Sequence, residues 1–255
     1  MLDIHQFVYG GDNYGVLIHD EARAETALID AGDSEAALAA LAETGWNLTQ
    51  IWITHHHWDH IDGLADIVSK TGATVYGPDG LKGVDQGKGD GDSFALGASE
   101  VRVIATPGHT LDMLNFHLPV EKLLFTGDTL FAMGCGRLFE GDAAMMWNSL
   151  TKLMALGDDT VIYCGHEYTA ANAKFALSID PENKALQSRA DAVRELREAG
   201  QPTVPTMMAL EKATNPFLRP HDPDIQMHLG MLANRTDNDH EAAVFAEIRR
   251  RKDNF

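Results

Sequence analysis

From the N-terminus to about residue 165, short apolar runs recur and are closed by Gly, Asp or Pro: "FVYG", "YGVLIHD", "TALIDAG", "IWITH", "TVYG", "VRVIATPG", "LNFHL", "LLFTGD" and "VIYCGH". Runs of this length, bounded by turn residues, read as β-strands. Between them "SEAALAALAETG" and "IDGLADIVSKTG" read as helices, with Ser34 and Asp59 as candidate N-caps and Gly45 and Gly72 as candidate stops. The alternation is that of an α/β protein. It ceases after His166. The runs "AANAKFALSID", "PENKALQSRADAVRELREAG" and "DNDHEAAVFAEIRRRK" are helical in pattern, with Pro181 placed to begin a helix and Gly200 to end one. The prolines in "QPTVPTMMALEKATNPFLRP" break any single helix there, so an irregular excursion is expected. A boundary therefore falls near residue 169, giving 1–168 and 169–255.

Composition narrows the class. With 255 residues, 44% hydrophobic and 23% charged, the chain can bury a full core. No run approaches the roughly 18 uninterrupted apolar residues of a membrane span, and "MLDIHQFVYG" lacks the basic and apolar regions of a secretory signal. Two cysteines, Cys135 and Cys164, are too few for a disulfide framework, and a reducing cytoplasm is the expected setting. A formal charge of -18 opposes binding to nucleic acid or anionic lipid, and nothing indicates an obligate protein partner. The chain nevertheless ends in a local basic run, "IRRRKDNF".

The chemistry concentrates in "ITHHHWDH", residues 53–60. In extended chain, His55 and His57 face one side and His56 the other, while Asp59 and His60 follow where the chain turns into a helix. That density is natural for two metal ions rather than one, and imidazole with carboxylate suits Zn(II), Fe(II) or Mn(II). A purification tag would be terminal and would not follow an apolar strand. His109 in "IATPGHT", Asp128 in "LLFTGDTLF" and His166 in "VIYCGHEY" each end an apolar run beside glycine, and strand ends are where α/β sheets carry their sites.

This pattern resembles the metallo-β-lactamase superfamily. The resemblance implies a four-layer αββα sandwich, here with a mainly helical C-terminal domain, and a dinuclear centre. It implies His55, His57 and His109 as ligands of the first metal, Asp59, His60 and His166 as ligands of the second, and Asp128 as the bridging carboxylate. His56 falls outside that set, with a packing or supporting role. "DNY" at 12–14, "THHHWDHIDG", "TPGHT", "FTGDTLF", "GCGRLFEG", "CGHEYT", "NPFLR" and "RRRKDNF" are further similar, in order and spacing, to the glyoxalase II (hydroxyacylglutathione hydrolase) family over almost the whole chain. That resemblance implies thioester hydrolysis of S-D-lactoylglutathione to D-lactate and glutathione, the closing step of methylglyoxal detoxification.

On that reading the cofactors are two divalent ions, zinc first and iron or manganese also compatible, and hydroxide held between them attacks the carbonyl. Asp59 and Asp128 balance the ions' charge and orient the nucleophile. Cys135 in "GCGR" is not required, because no general base stands beside it in sequence. Glutathione carries two carboxylates, so an acidic protein needs local cations to hold it. The resemblance points to Arg137, Tyr168, Arg249 and Lys252 as substrate-binding residues in a substrate-binding C-terminal domain. Two departures stand out: Phe139 where some relatives have tyrosine, removing a phenol hydrogen bond, and Asp112–Met113 where relatives have Gly and His, altering packing beside the site. The alternatives are another thioesterase or lactonase of the superfamily, or a persulfide dioxygenase with one iron; intact Asp59, His60 and His166 argue against the last. A non-catalytic binding module would have lost a ligand position, and none is lost.

Overall fold

The computed structural model describes residues 2–233 and 237–255. It divides into two compact units, one of residues 1–105 with 112–127 and one of residues 106–111 with 128–255.

In the first unit, β1 (Leu2–Tyr9), β2 (Asn13–Asp20), β3 (Glu25–Ile29), β4 (Gln50–Trp52), β5 (Thr74–Pro78) and β6 (Gln86–Lys88) form a sheet in chain order. The first three are antiparallel, and β3 to β6 are parallel. Parallel neighbours need a crossover. α1 (Ser34–Thr44) supplies it between β3 and β4, and α2 (Trp58–Ile61) with α3 (Leu64–Thr71) between β4 and β5. A second, antiparallel set follows: β7 (Ser93–Leu96), β8 (Ser99–Ala105), β9 (Leu114–Leu118) and β10 (Leu123–Phe125). Trp52 of the first sheet is fully buried against Phe94, Phe116 and Phe125 of this set, at ring-centroid distances of 5.2, 5.5 and 6.3 Å. The other face of the first sheet is covered by the helices, where Leu17, Leu28, Ile51 and Val75 pack with Ala37, Ala40, Leu41, Leu64 and Ile67. Helix, sheet and sheet thus stack in the order an α/β sandwich requires.

The second unit begins with a tight hairpin, β11 (Leu130–Phe131) and β12 (Gly134–Cys135). It continues through α4 (Ala143–Met154), β13 (Val161–Tyr163), α5 (Thr169–Ile179), α6 (Lys184–Glu198), β14 (Thr206–Met207), α7 (Met208–Thr214), a 3-10 turn at Pro216–Leu218, α8 (Pro223–Leu229) and α9 (Asn238–Asp253). Its helices close over a chain of buried rings, Trp147, Phe245, Phe217 and Phe175.

The nine apolar runs all contain strand, but local capping differs from expectation. Asp33, not Ser34, caps α1, its carboxylate accepting from Ala36 N at 3.0 Å. A carboxylate one residue earlier reaches the free amide and leaves Ser34 as the first helical residue. Asp59 lies inside α2, whose N-cap is His57. The "IDGLADIVSKTG" helix is split between α2 and α3, and Gly63 at the break allows close packing, since a Cβ there would sit 2.5 Å from Ser34 N. Asn183 rather than Pro181 starts α6, accepting from Leu186 N at 3.1 Å. Gly45 and Gly72 do end α1 and α3, both in the left-handed region. Residues 201–220 break into a short strand, a short helix and a 3-10 turn.

Candidate metal centre

The first unit carries His55, His57, Asp59 and His60, and the second carries His109, Asp128 and His166. Each of these belongs to a group of His and Asp side chains able to hold a metal ion. In the first unit, β4 ends at Trp52 and α2 begins at Trp58, and the three histidines lie in the segment between. His55 Nε2 and His57 Nδ1 approach to 3.0 Å, whereas His56 turns away and pairs with Asp112, Nδ1 to Oδ1, at 3.0 Å. His56 therefore has a partner of its own in Asp112.

The tautomers are set by Asp30, a buried residue at φ +57 just after β3. Its Oδ2 accepts from His60 Nδ1 at 2.8 Å and from the Thr54 hydroxyl at 3.0 Å, and its Oδ1 accepts from Thr54 N at 2.8 Å. Because the Thr54 proton is committed to Asp30, the Thr54 oxygen accepts from His55 Nδ1 at 3.0 Å. As neutral imidazoles, both rings then present the Nε2 lone pair away from Asp30. His60 Nε2 lies 3.5 Å from Asp59 Oδ2. Asp59 is held by Asn13 Nδ2 on the same oxygen at 3.1 Å and by Tyr9, whose hydroxyl donates to the Asp59 carbonyl at 3.0 Å. Gly32 is obligatory for this approach, since a Cβ would lie 1.8 Å from the Asp59 carbonyl oxygen.

The second unit repeats the device. His109 Nδ1 donates to the Arg137 carbonyl at 2.7 Å, so its Nε2 lone pair faces Asp128 Oδ2 at 3.4 Å. His166 Nε2 stands 3.3 Å from the same oxygen, its ring stacked on Tyr168 at 4.7 Å and 4°. At Gly136 a Cβ would meet the Asp128 carbonyl oxygen at 2.0 Å, which explains the glycine in "GCGR".

Two nitrogen or oxygen donors on one tetrahedral ion stand roughly 3.3 Å apart. The donor separations of 3.0, 3.5, 3.4 and 3.3 Å meet that spacing. Imidazole and carboxylate donors at this spacing fit a divalent metal. Neither thiol competes as a nucleophile. Both are buried, and burial pushes Cys135 up to about 11 and Cys164 to about 12, leaving them protonated at neutral pH.

The other predicted residues gather in the second unit. Arg249, nearly buried, donates from Nη1 to the Cys135 carbonyl at 3.1 Å, pairs with Asp253 at 2.7 Å and lies 5.0 Å above the Phe217 ring. Arg137 is exposed, 3.7 Å from the same Asp253 and 6.0 Å from the Phe139 ring centre. Lys252 Nζ sits over Phe175 at 5.1 Å and reaches the Ala171 carbonyl at 3.3 Å, in the first turn of α5 just after Tyr168. Sequence reasoning missed Asp30, Thr54 and Asn13. Asp30 did carry a signal, since "LIDAG" is an acid beside a strand end like the one at Asp128.

Fold and donor chemistry together define a protein of the metallo-β-lactamase superfamily, and residues 10–166 match that superfamily's model. Residues 167–255 match the model for the hydroxyacylglutathione hydrolase C-terminus. The chain belongs to the hydroxyacylglutathione hydrolase family: it is 52% identical to the hydroxyacylglutathione hydrolase of Maricaulis maris (strain MCS10), over 99% of this chain and 98% of that one. Among solved structures it is similar to ETHE1 from Myxococcus xanthus, with a TM-score of 0.67 and 28% identity over 97% of this chain and 98% of that chain. BLEG-1 B3 metallo-beta-lactamase shares the fold, with a TM-score of 0.65 and 21% identity over 85% of this chain and 100% of that chain.

Proposed function

We propose that the chain hydrolyses the thioester of S-(2-hydroxyacyl)glutathiones, chiefly S-D-lactoylglutathione, to the 2-hydroxy acid and glutathione. The observation that carries this reading is full-length 52% identity to hydroxyacylglutathione hydrolases in a chain that keeps every expected donor. His55, His57 and His109 would hold one ion, Asp59, His60 and His166 a second, and Asp128 both. Two divalent ions, zinc first and iron or manganese as alternatives, supply Lewis acidity and lower the pKa of water.

The chain's own residues do the rest. Asp30 and the Arg137 carbonyl keep ligand rings in the tautomer that offers a lone pair. Asp59, steadied by Asn13, offsets positive charge and orients the attacking water by accepting its hydrogen bond. Arg137, Tyr168, Arg249 and Lys252 hold glutathione, whose carboxylates match the cations that this acidic protein concentrates in its C-terminal helix. Residues 1–168 would then be the catalytic domain and 169–255 the substrate-binding domain, and the family models meeting at 166 and 167 support that division. Two buried free thiols support a reducing, cytoplasmic setting.

A substrate panel on metal-replete protein tests the reading. S-D-lactoylglutathione should be turned over in preference to β-lactams, lactones and simple thioesters, without oxygen consumption. Turnover of another substrate with none of the first, or oxygen uptake with a glutathione persulfide, would replace it.

A further inference from the structure

The hairpin of β11 and β12 is too short to hold its own shape, with only two paired residues on each strand. It also carries a strained turn: Met133, not a glycine, sits at φ +57. Yet its exit anchors two functional groups. The Cys135 carbonyl accepts from Arg249, and the Arg137 carbonyl, two residues on, accepts from His109. Its entry comes two residues after Asp128, and Gly136 N closes back onto the Thr129 carbonyl at 3.2 Å. Something outside the hairpin must fix it.

That support is a buried polar cluster drawn from α6, β14, α7 and the residue that follows α7. Glu211 is fully buried, and its Oε2 accepts from Met133 N at 2.9 Å and from Asn215 Nδ2 at 3.1 Å. The Asn215 amide also donates to the carbonyls of Gly134, at 3.0 Å, and Phe131, at 3.3 Å. The other Glu211 oxygen accepts from the Thr206 hydroxyl at 2.7 Å and forms a short ion pair with Arg189, which is itself buried and also donates to Thr214. A buried ion pair is a weak source of stability compared with apolar residues of like volume, so its value here is geometric.

We infer that Glu211 is a positioning residue for substrate binding: it clamps the Leu130–Cys135 hairpin so that the Cys135 carbonyl at its end holds Arg249 in its working place. This rests on the proposed glutathione-thioester hydrolysis. The Glu211→Gln variant loses an acceptor and the anion facing Arg189; the double variant Arg189→Gln with Glu211→Gln leaves no uncompensated buried charge. In both, the KM for S-D-lactoylglutathione and the Kd for free glutathione by calorimetry should rise about fivefold or more, with kcat within about twofold and the KM for a small thioester unchanged. In the unaltered protein, glutathione should slow hydrogen exchange at the Met133 amide.

A folded double variant with wild-type glutathione affinity would overturn the inference. So would equal losses on both thioesters, or a Met133 amide indifferent to glutathione. If the unaltered protein fails to turn over S-D-lactoylglutathione, the functional reading falls first. If it is active and the variants match it, only the clamp falls.

Discussion

Asp30 shows how much one side chain can decide. Its two oxygens receive three hydrogen bonds, and through them the tautomers of His55 and His60 are settled without its touching an ion. Removing such a support typically costs about 10–100-fold in metal affinity. Asp30→Asn replaces one acceptor with a donor, which must face either His60 Nδ1 and the Thr54 hydroxyl or the Thr54 amide. Chelator competition should show metal affinity lowered by about that range, with the fold retained. Unchanged affinity would mean that the tautomers are set some other way. The proposed ligands were legible because their types and spacing are local to "HHHWDH" or to strand ends. Asp30 was not, because its partners lie 24 and 30 residues away and only the folded chain brings them to it.

At the scale of an element, α9 explains which cations in "RRRK" face inward. Arg250 and Arg251 both hydrogen-bond Glu247, and those bonds hold its carboxyl down at about 2 although it is partly exposed. Helical phase instead turns Arg249 and Lys252 inward, three residues apart on one face. Burial, then the positive charge of Arg249, pushes Lys252 down from 10.5 to about 8. The amine is therefore charged below about pH 8 and loses its proton as pH rises through that value, while a carboxylate on glutathione stays ionised. The kcat/KM for S-D-lactoylglutathione should fall above about pH 8, and Lys252→Arg should move that fall to higher pH. An identical alkaline limb in the variant would show that Lys252 does not set it. Helical phase was readable once α9 was recognised. The two-residue strands β11, β12 and β14 were not, since two residues carry no period and the hairpin's support comes from distant elements such as α7.

Over the whole molecule the net charge is -18, and in the second unit Arg189 pairs with Glu211, Arg249 with the Cys135 carbonyl and Lys252 with the Ala171 carbonyl. Among the described residues no helix is long and apolar enough to cross a membrane. The α/β and helical parts were legible from the change of rhythm near residue 169, because strand ends and helix stops are written in Gly, Asp and Pro. The compact units do not follow that boundary: residues 106–111 and 128–168 pack with the C-terminal helices, a grouping set by long-range contacts that no local pattern records. The seven proposed ligands are drawn from both units, so metal content tests the account most directly. Elemental analysis of folded, metal-saturated protein should give two divalent ions per chain. Folded protein that never takes up more than one would contradict it.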